Sequence, residues 1–412
     1  MSRTVLLTGL GTVGAFGCGG ESLERALAEG TPSLSEVDRS AGYHLPEGAR
    51  LACLVTVSLS EWLSPAEGRR MSPPSKLAVA ASRMALRGAG LDSGSEGSEA
   101  TAVFLSTAFG PSSNSEGMLK QIFLEGPEAV SPFLFTESVA NAPAAQIAIA
   151  NRARGPSVTV CQREAGPLLA VSQAAAAVAS GRAERAFAGA VDEVSPLLHA
   201  LLDRFGALAR SGPDGDEIAR PFDRRRCGFL AGEGATVLLL ESAESVAARG
   251  AQAIARVLSW GSAFDPTAPV SDWGKGHDVL ARGLRKCLGR AGIEPQAVDR
   301  IVSGASGSRA GDRLEALTLR EALCGGNSPG GPGLPPVLTP KAVTGEYGGG
   351  LLGAAVLAAA GARFGATPGF AEPDPELDVV PHDGSALPPP STVLVSSLAA
   401  GGAGAWLLLG AP

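Results

Sequence analysis

The chain is poor in histidine, in clustered cysteine, in basic charge and in long hydrophobic runs, and each shortage closes off a class of function. Four histidines occur in 412 residues, His44, His199, His277 and His382, so imidazole acid–base work near neutral pH is confined to those positions. Six cysteines, Cys18, Cys53, Cys161, Cys227, Cys287 and Cys324, are scattered without CxxC spacing. That pattern indicates neither a disulfide framework nor a metal site. With 34 basic and 41 acidic residues the net charge is −7, which lends no electrostatic support to a nucleic-acid role. The one compact basic cluster, Arg224-Arg225-Arg226, is either a solvated loop or a contact for an acidic partner surface. The Ala-rich stretch 350–362 is too short and too Gly-interrupted for a membrane span. A first strand follows Met1 with no charged region and hydrophobic leader ahead of it. The expectation is a cytoplasmic globular protein, with no membrane segment, metal or other cofactor.

At 45% hydrophobic and 18% charged, the chain can bury a large core, and its length suits two to three units on the loose rule of ~150 residues each. Short β-branched or apolar runs predict strands at 5–9, 102–106, 158–161, 185–189 and 235–241, then at 255–261, 300–303, 336–340, 392–396 and 405–409. Helical patterns alternate with them, as at 76–88, 168–179, 276–291 and 313–323. The alternation predicts an α/β fold with mixed sheets covered on both faces, as a pseudo-duplicated pair of halves at 1–250 and 251–412. Gly, Pro and Ser mark loops at 92–99, 325–335 and 383–390, the Gly-rich run 325–333 being expected flexible and peripheral. The run Gly9-Leu10-Gly11-Thr12-Val13-Gly14 has dinucleotide-like glycine spacing, but no acidic residue ends a convincing second strand, so structural glycines are the expected reading.

The most informative segment is Gly155-Pro156-Ser157-Val158-Thr159-Val160-Cys161-Gln162-Arg163-Glu164-Ala165-Gly166. A buried strand, a tight polar elbow and an Ala-rich helix closed by Gly181 follow one another. That geometry presents one side chain at a helix N-terminus, where the dipole and free N–H groups favour an anion. Cys161, on the strand, is expected to be a small buried hydrophobe without reactivity, since a reactive thiol needs an exposed electropositive setting.

This segment resembles the elbow of the β-ketoacyl synthases, condensing enzymes of the thiolase superfamily. The resemblance extends over nearly the whole chain. It includes Thr4 to Gly11, Arg69-Arg70-Met71 and Ser131-Pro132-Phe133, which resembles the pocket lining near the dimer contact. Arg220-Pro221-Phe222-Asp223 with Gly228-Phe229 and Gly232-Glu233-Gly234-Ala235 is the most specific match. Ala310-Gly311-Asp312 with Glu315, and Thr339-Pro340-Lys341 with Thr344-Gly345, correspond to the two later active-site segments. The implied fold is a thiolase-like five-layer αβαβα sandwich. The resemblance also implies that the acylated cysteine position falls on Glu164 and the two histidine positions on Gly304 and Glu346. Lys341 and Glu315 would form a buried ion pair holding the loops, and Leu398 would stand where a phenylalanine gate is usual.

Chemistry gives these replacements meaning. A thioester keeps its carbonyl electrophilic and transfers readily, whereas acylated Glu164 would be a labile mixed anhydride. Gly304 supplies no donor, and an ionised Glu346 would repel a carbanion. The resemblance therefore implies a non-catalytic ketosynthase β subunit, or chain length factor, paired with an active ketosynthase α subunit. Together they would work on an acyl carrier protein bearing a polyketide or unusual fatty acyl chain. Tunnel-end candidates are Phe109, Ser113, Met118, Phe133 and Phe135, each with core or dimer packing as the plainer alternative. Two other readings stay open: an initiating malonyl-carrier decarboxylase, and an active condensing enzyme using Cys161.

Overall fold

The computed structural model describes residues 3–92, 98–211, 215–325 and 333–412. Its framework strands are β1 (Val5–Gly14), β2 (Thr101–Ser106), β3 (Ser157–Val160), β4 (Arg185–Asp192), β5 (Gly234–Ser242), β6 (Ala255–Phe264), β7 (Arg300–Ser303), β8 (Val337–Leu338), β9 (Thr392–Leu398) and β10 (Ala403–Gly410). Hydrogen bonding joins them in the order β8-β7-β9-β10-β6-β1-β5-β4-β2-β3, as an 11-stranded sheet once the short strand Gly17–Cys18 beside β1 is included. The two halves are copies in topology. Each places its own strands in the order third, second, fourth, fifth, first. In each the first and fourth run antiparallel to the fifth, while the second is parallel to the third and fourth. The copies join where β1 pairs antiparallel with β6, Val5 opposite Val257.

Strand alternation explains the layers, because successive side chains point to opposite faces. In the first half Val103, Leu105, Phe187 and Leu239 face outward onto α1 (Pro73–Gly88). Ala102, Phe104, Ala186 and Leu238 face inward onto α5 (Gly166–Ala179) and α8 (Gly348–Ala359). In the second half Val393, Val395 and Leu407 face those same central helices. Ile301, Leu394 and Leu408 face outward onto α6 (His277–Ala291) and α7 (Arg309–Cys324). The result is the expected five-layer sandwich. Of its central helices, α8 is apolar all round, as a helix buried on every side must be, and α5 is nearly so, with Gln173 exposed.

Boundaries shift for identifiable reasons. α5 starts two residues earlier than the 168–179 pattern, with Pro167 in the first turn, where a missing N–H costs nothing. β8 shrinks to Val337–Leu338 because Thr339-Pro340 leads straight into the short helix Lys341–Thr344. Of the expected loops, residues 93–97 and 326–332 lie outside the described residues, and with them most of the Gly-rich run. Among the described residues, no helix is long and apolar enough to cross a membrane.

Gly9 and Gly11 lie within β1 and not in a phosphate-binding loop. A Cβ at Gly9 would sit 2.1 Å from the Ala85 carbonyl oxygen, and one at Gly11 would sit 1.8 Å from that of Ala81. The glycines let α1 lie directly on the strand. Gly11→Ala is therefore expected to destabilise the fold by about 1–3 kcal/mol or more, as overpacked cores do. Urea unfolding of the variant measures the loss, and unchanged stability would show that the α1–β1 contact gives way freely.

Candidate functional site

The polar centre lies at the carboxyl ends of β3, β4, β7, β8 and β9, the usual end for a site on parallel strands. After β3 the chain turns through Arg163, whose φ of 41° is left-handed, and a short 3-10 turn at Arg163–Ala165 leads into α5. Glu164 stands on that elbow, two residues before α5. Glu346 stands two residues before α8, the equivalent place in the second half. The two helix starts are pressed together: a Cβ on Gly348 would come within 2.1 Å of Pro167 Cγ. Glycine at 348 is thus a condition for the two carboxylates to share one pocket.

Lys341, fully buried, meets Glu346 Oε1 at 2.6 Å. The contact is ionic by distance, yet its angles fall outside those of a hydrogen bond, and Nζ makes no other. Glu164 is the third charge of this group. It is partly buried as a residue, but its Oε2 is enclosed and has no hydrogen-bond partner, as is true of Glu346 Oε2. Burial, with the Glu346 charge added, pushes the Glu164 carboxyl well above the usual carboxylate range, and Lys341 only partly offsets this. Ser397, at the end of β9, donates its hydroxyl to the Glu164 carbonyl at 2.6 Å.

A second tier of carboxylates surrounds the first. Glu315 on α7 accepts from the Gly304 amide at 3.1 Å, and burial pushes it up to about 7. Asp312 accepts from the amides of Phe222, Ser306 and Gly307, and burial pushes it up to about 6. Asp192, ending β4, accepts from Thr107 Oγ1 at 3.0 Å and the Ala108 amide at 2.7 Å. Burial raises it to about 6, against the opposing pull of those donors and the Gly348 amide. Gly304 itself is tightly enclosed: a Cβ there would meet Ser396 O, Ser397 Cα and Ser397 Oγ, each at 3.0 Å.

Four expectations need correcting. Lys341 pairs with Glu346 and not with Glu315, because Glu315 lies on α7 and spends its carboxylate on the Gly304 amide; the two influence one another only through space. Leu398 is not at a gate. It is buried in the outer core with Leu280 and Trp406, because Ser397 is the neighbour whose side the strand turns toward Glu164. Cys161 is exposed, not buried, since β3 is the sheet's last strand and ends at Val160. Partial burial and the Asp192 charge nonetheless raise its thiol pKa, the opposite of nucleophile activation. Finally, Arg224-Arg225-Arg226 is not a free basic patch. Arg226 is buried against Asp374 at 2.6 Å, Arg225 pairs with Asp223 at 3.0 Å, and only Arg224 is exposed.

The tunnel-end candidates form a separate group on the segment after β2. Phe109 is 50% exposed, Phe133 36% and Phe135 61%, and Ser113 and Met118 lie on α2 (Ser112–Glu125), which buries no residue fully. Ser397 and Asp192 went unnoticed in the sequence. The alternation of β9 would have pointed to Ser397 once the elbow was placed against it, whereas nothing local marks Asp192. Among the described residues no group of three His, Cys, Asp or Glu side chains is placed to hold a metal.

Sequence-family profiles match this chain as "Beta-ketoacyl synthase, N-terminal domain" over residues 2–245 and "Beta-ketoacyl synthase, C-terminal domain" over residues 254–361. It is 33% identical to 3-oxoacyl-[acyl-carrier-protein] synthase 2 of Rhizobium meliloti (strain 1021) over 321 residues, 73% of each chain. A Streptomyces halstedii protein provisionally named polyketide beta-ketoacyl synthase 2 is 32% identical over 410 residues, covering 96% of this chain and 94% of that one. Among solved structures, the ishigamide ketosynthase/chain length factor superimposes with a TM-score of 0.88 at 31% identity, over 100% of both chains.

Glu164 binds its proton more tightly folded than unfolded, so stability from this group is full below the ordinary carboxylate pKa and is lost as pH rises through the raised folded value. Glu164→Gln removes that loss. Its stability relative to the native chain is expected to improve between pH 5 and pH 8 by roughly 1–3 kcal/mol. Urea unfolding at the two pH values reads the difference, and a pH-independent difference would mean that Glu164 titrates as an ordinary surface carboxylate.

Proposed function

Because the chain belongs to the β-ketoacyl synthase family, we propose that it is the non-catalytic β subunit of a ketosynthase pair, a chain length factor. It pairs with an active ketosynthase α subunit in the cytoplasm and bounds the length of a polyketide or unusual fatty acyl chain carried on an acyl carrier protein. One observation carries this reading: the three positions that would react hold Glu164, Gly304 and Glu346, and Lys341 is occupied by Glu346.

Such a centre cannot run a Claisen condensation in the ordinary way. No thiolate stands at the elbow, no imidazole faces it, and the charge that would meet a developing oxyanion is negative. When every member of a catalytic unit is replaced, little of its rate enhancement survives. Cys161 does not rescue the chemistry, since its thiol is disfavoured as a thiolate. The decarboxylase reading also lacks a donor, because Gly304 offers no side chain.

The surface supports a paired subunit. Phe109, Phe123, Leu124, Phe135 and Ile149 are each at least half exposed, all between residues 109 and 149, and β3 is an edge strand beside them. Several large exposed apolar side chains on one segment, together with an open strand edge, are features that a monomer seldom leaves uncovered. Obligate interfaces of this type bury more than about 2,000 Å². Likeness to a ketosynthase/chain length factor over the full chain supports the same reading.

Co-expression with a neighbouring active ketosynthase, followed by native mass and product-length measurement, tests the proposal. A 1:1 complex is expected, with products lengthened by whole ketide units in one or more of Phe109→Ala, Met118→Ala, Phe133→Ala and Phe135→Ala. A well-behaved monomer indifferent to the partner, or unchanged lengths in all four folded variants, would sink it.

Glu164→Cys is expected not to make this chain a condensing enzyme on its own. The new thiol would gain from the start of α5 and accept an acyl group slowly. Decarboxylation and oxyanion stabilisation would still lack donors. The assay is chain extension by the variant alone with malonyl-loaded carrier protein, where multiple turnovers would contradict the reading of Gly304 and Glu346.

A further inference from the structure

The helix that carries Ser113 and Met118 is held by polar contacts more than by packing. Within the single chain α2 has no fully buried residue, so this chain's own core side chains do not fix its position. Its N-terminal turn is instead gripped by Glu193, itself 4% exposed, directly after β4. Glu193 Oε1 accepts from the Ser113 amide at 2.7 Å and from Ser112 Oγ at 3.0 Å, and Oε2 accepts from Ser113 Oγ at 3.0 Å. Both carboxylate oxygens are thus used on one helix start, where the dipole adds to the attraction. Halfway along, the side of α2 is tied a second time: Tyr43 donates its hydroxyl to Glu116 at 2.6 Å, and Lys120 closes on the same carboxylate at 2.5 Å. The second tie is partly exposed and correspondingly weak. The buried one is not.

Asp192, next to Glu193, fixes the lead-in to the same helix through Thr107 and Ala108. Two consecutive carboxylates, Asp192 ending β4 and Glu193 just after it, therefore both hold the segment that carries the tunnel-end candidates. A rigid strand positions side chains more accurately than a loop does.

We propose that Glu193 is a positioning residue for chain length: its grip on the start of α2 sets how far that helix, and Met118 with it, intrudes on the space open to the growing chain. The proposal rests on the chain-length reading above. It adds that specificity depends on a buried anchor that need not touch the chain, as well as on the bulk of the side chains that do.

The test uses the complex of this subunit with its active ketosynthase partner and compares Glu193→Ala, Glu193→Gln and Met118→Ala. Glu193→Ala is expected to broaden or lengthen the product distribution, and to raise amide hydrogen exchange over 112–125 roughly tenfold while exchange in the central helices is unchanged. Glu193→Gln keeps an acceptor for the Ser113 amide and a donor for a serine hydroxyl, so it should restore most of the native distribution. If Glu193→Ala fails to fold, Glu193→Asp, one methylene shorter, is expected to shift lengths in the same direction. Native lengths together with native protection of 112–125 in the folded Ala variant, or in Glu193→Asp where Ala does not fold, would overturn the positioning role. Met118→Ala and the three phenylalanine variants separate the two ideas. Length changes in any of them without changes in the Glu193 variants remove the anchor and leave the chain-length reading standing, and no change in any of them removes both.

Discussion

The close approach of the two central helix starts is the constraint on which the rest of this molecule depends. α5 and α8 lie between the two halves of the sheet, which have identical strand order, and their first turns meet where Gly348 faces Pro167. A side chain at 348 would push the turns apart. Because they do meet, the residue two places before each helix lands in the same small polar volume, one from each half. In a duplicated fold, this is where two copies of one position can act as a pair. Here both positions carry glutamate.

Electrostatics then decides what that pair can be. Two carboxylates and one lysine cannot all be charged and content in a buried volume, and an unpaired buried charge is a large cost. Lys341 goes to Glu346, leaving Glu164 with burial and repulsion both favouring its protonated form. The surrounding Glu315, Asp312 and Asp192 are shifted upward as well, each by burial, and each is moderated by backbone amides. An acidic, proton-retaining centre of this sort is poorly suited to stabilising an enolate or an oxyanion. It is better suited to holding loops and helix ends in register, which the amides of Gly304, Gly307 and Ala108 show it doing.

Much of this was legible in the sequence, and the limits have physical causes. The strands could be read from β-branched runs because a period of two, or a continuous apolar run, is a local property. The elbow could be placed because its strand, break and helix are consecutive. Glu164, Gly304 and Glu346 followed from matching short motifs in order. What failed was pairwise geometry. Lys341 has two buried carboxylates in range, and the choice between Glu346 and Glu315 turns on the Gly304 amide, which claims the second. Leu398 and Ser397 are neighbours on one strand, and a register read one residue off exchanges the outer core for the site. Cys161 looked buried because its strand is apolar, yet that strand lies at the sheet's edge. Edge position is set by connections far away in the chain.

The same distinction between local and distant information explains the outer segment from 109 to 149. From sequence its aromatic residues are tunnel-end candidates, or else core or dimer packing, and in the single chain several stand in solvent. A face can be apolar without being a core if another chain completes it. α2 then has an unusual status: it is tied down by Glu193 and Tyr43, backed by few buried contacts, and open on the side where a partner would lie. Elements with few buried apolar contacts are the ones whose position a small set of polar bonds can decide. On the chain-length reading proposed above, product length is set through shape, and the bonds that anchor this helix bear on that shape as well as the size of the residues it carries.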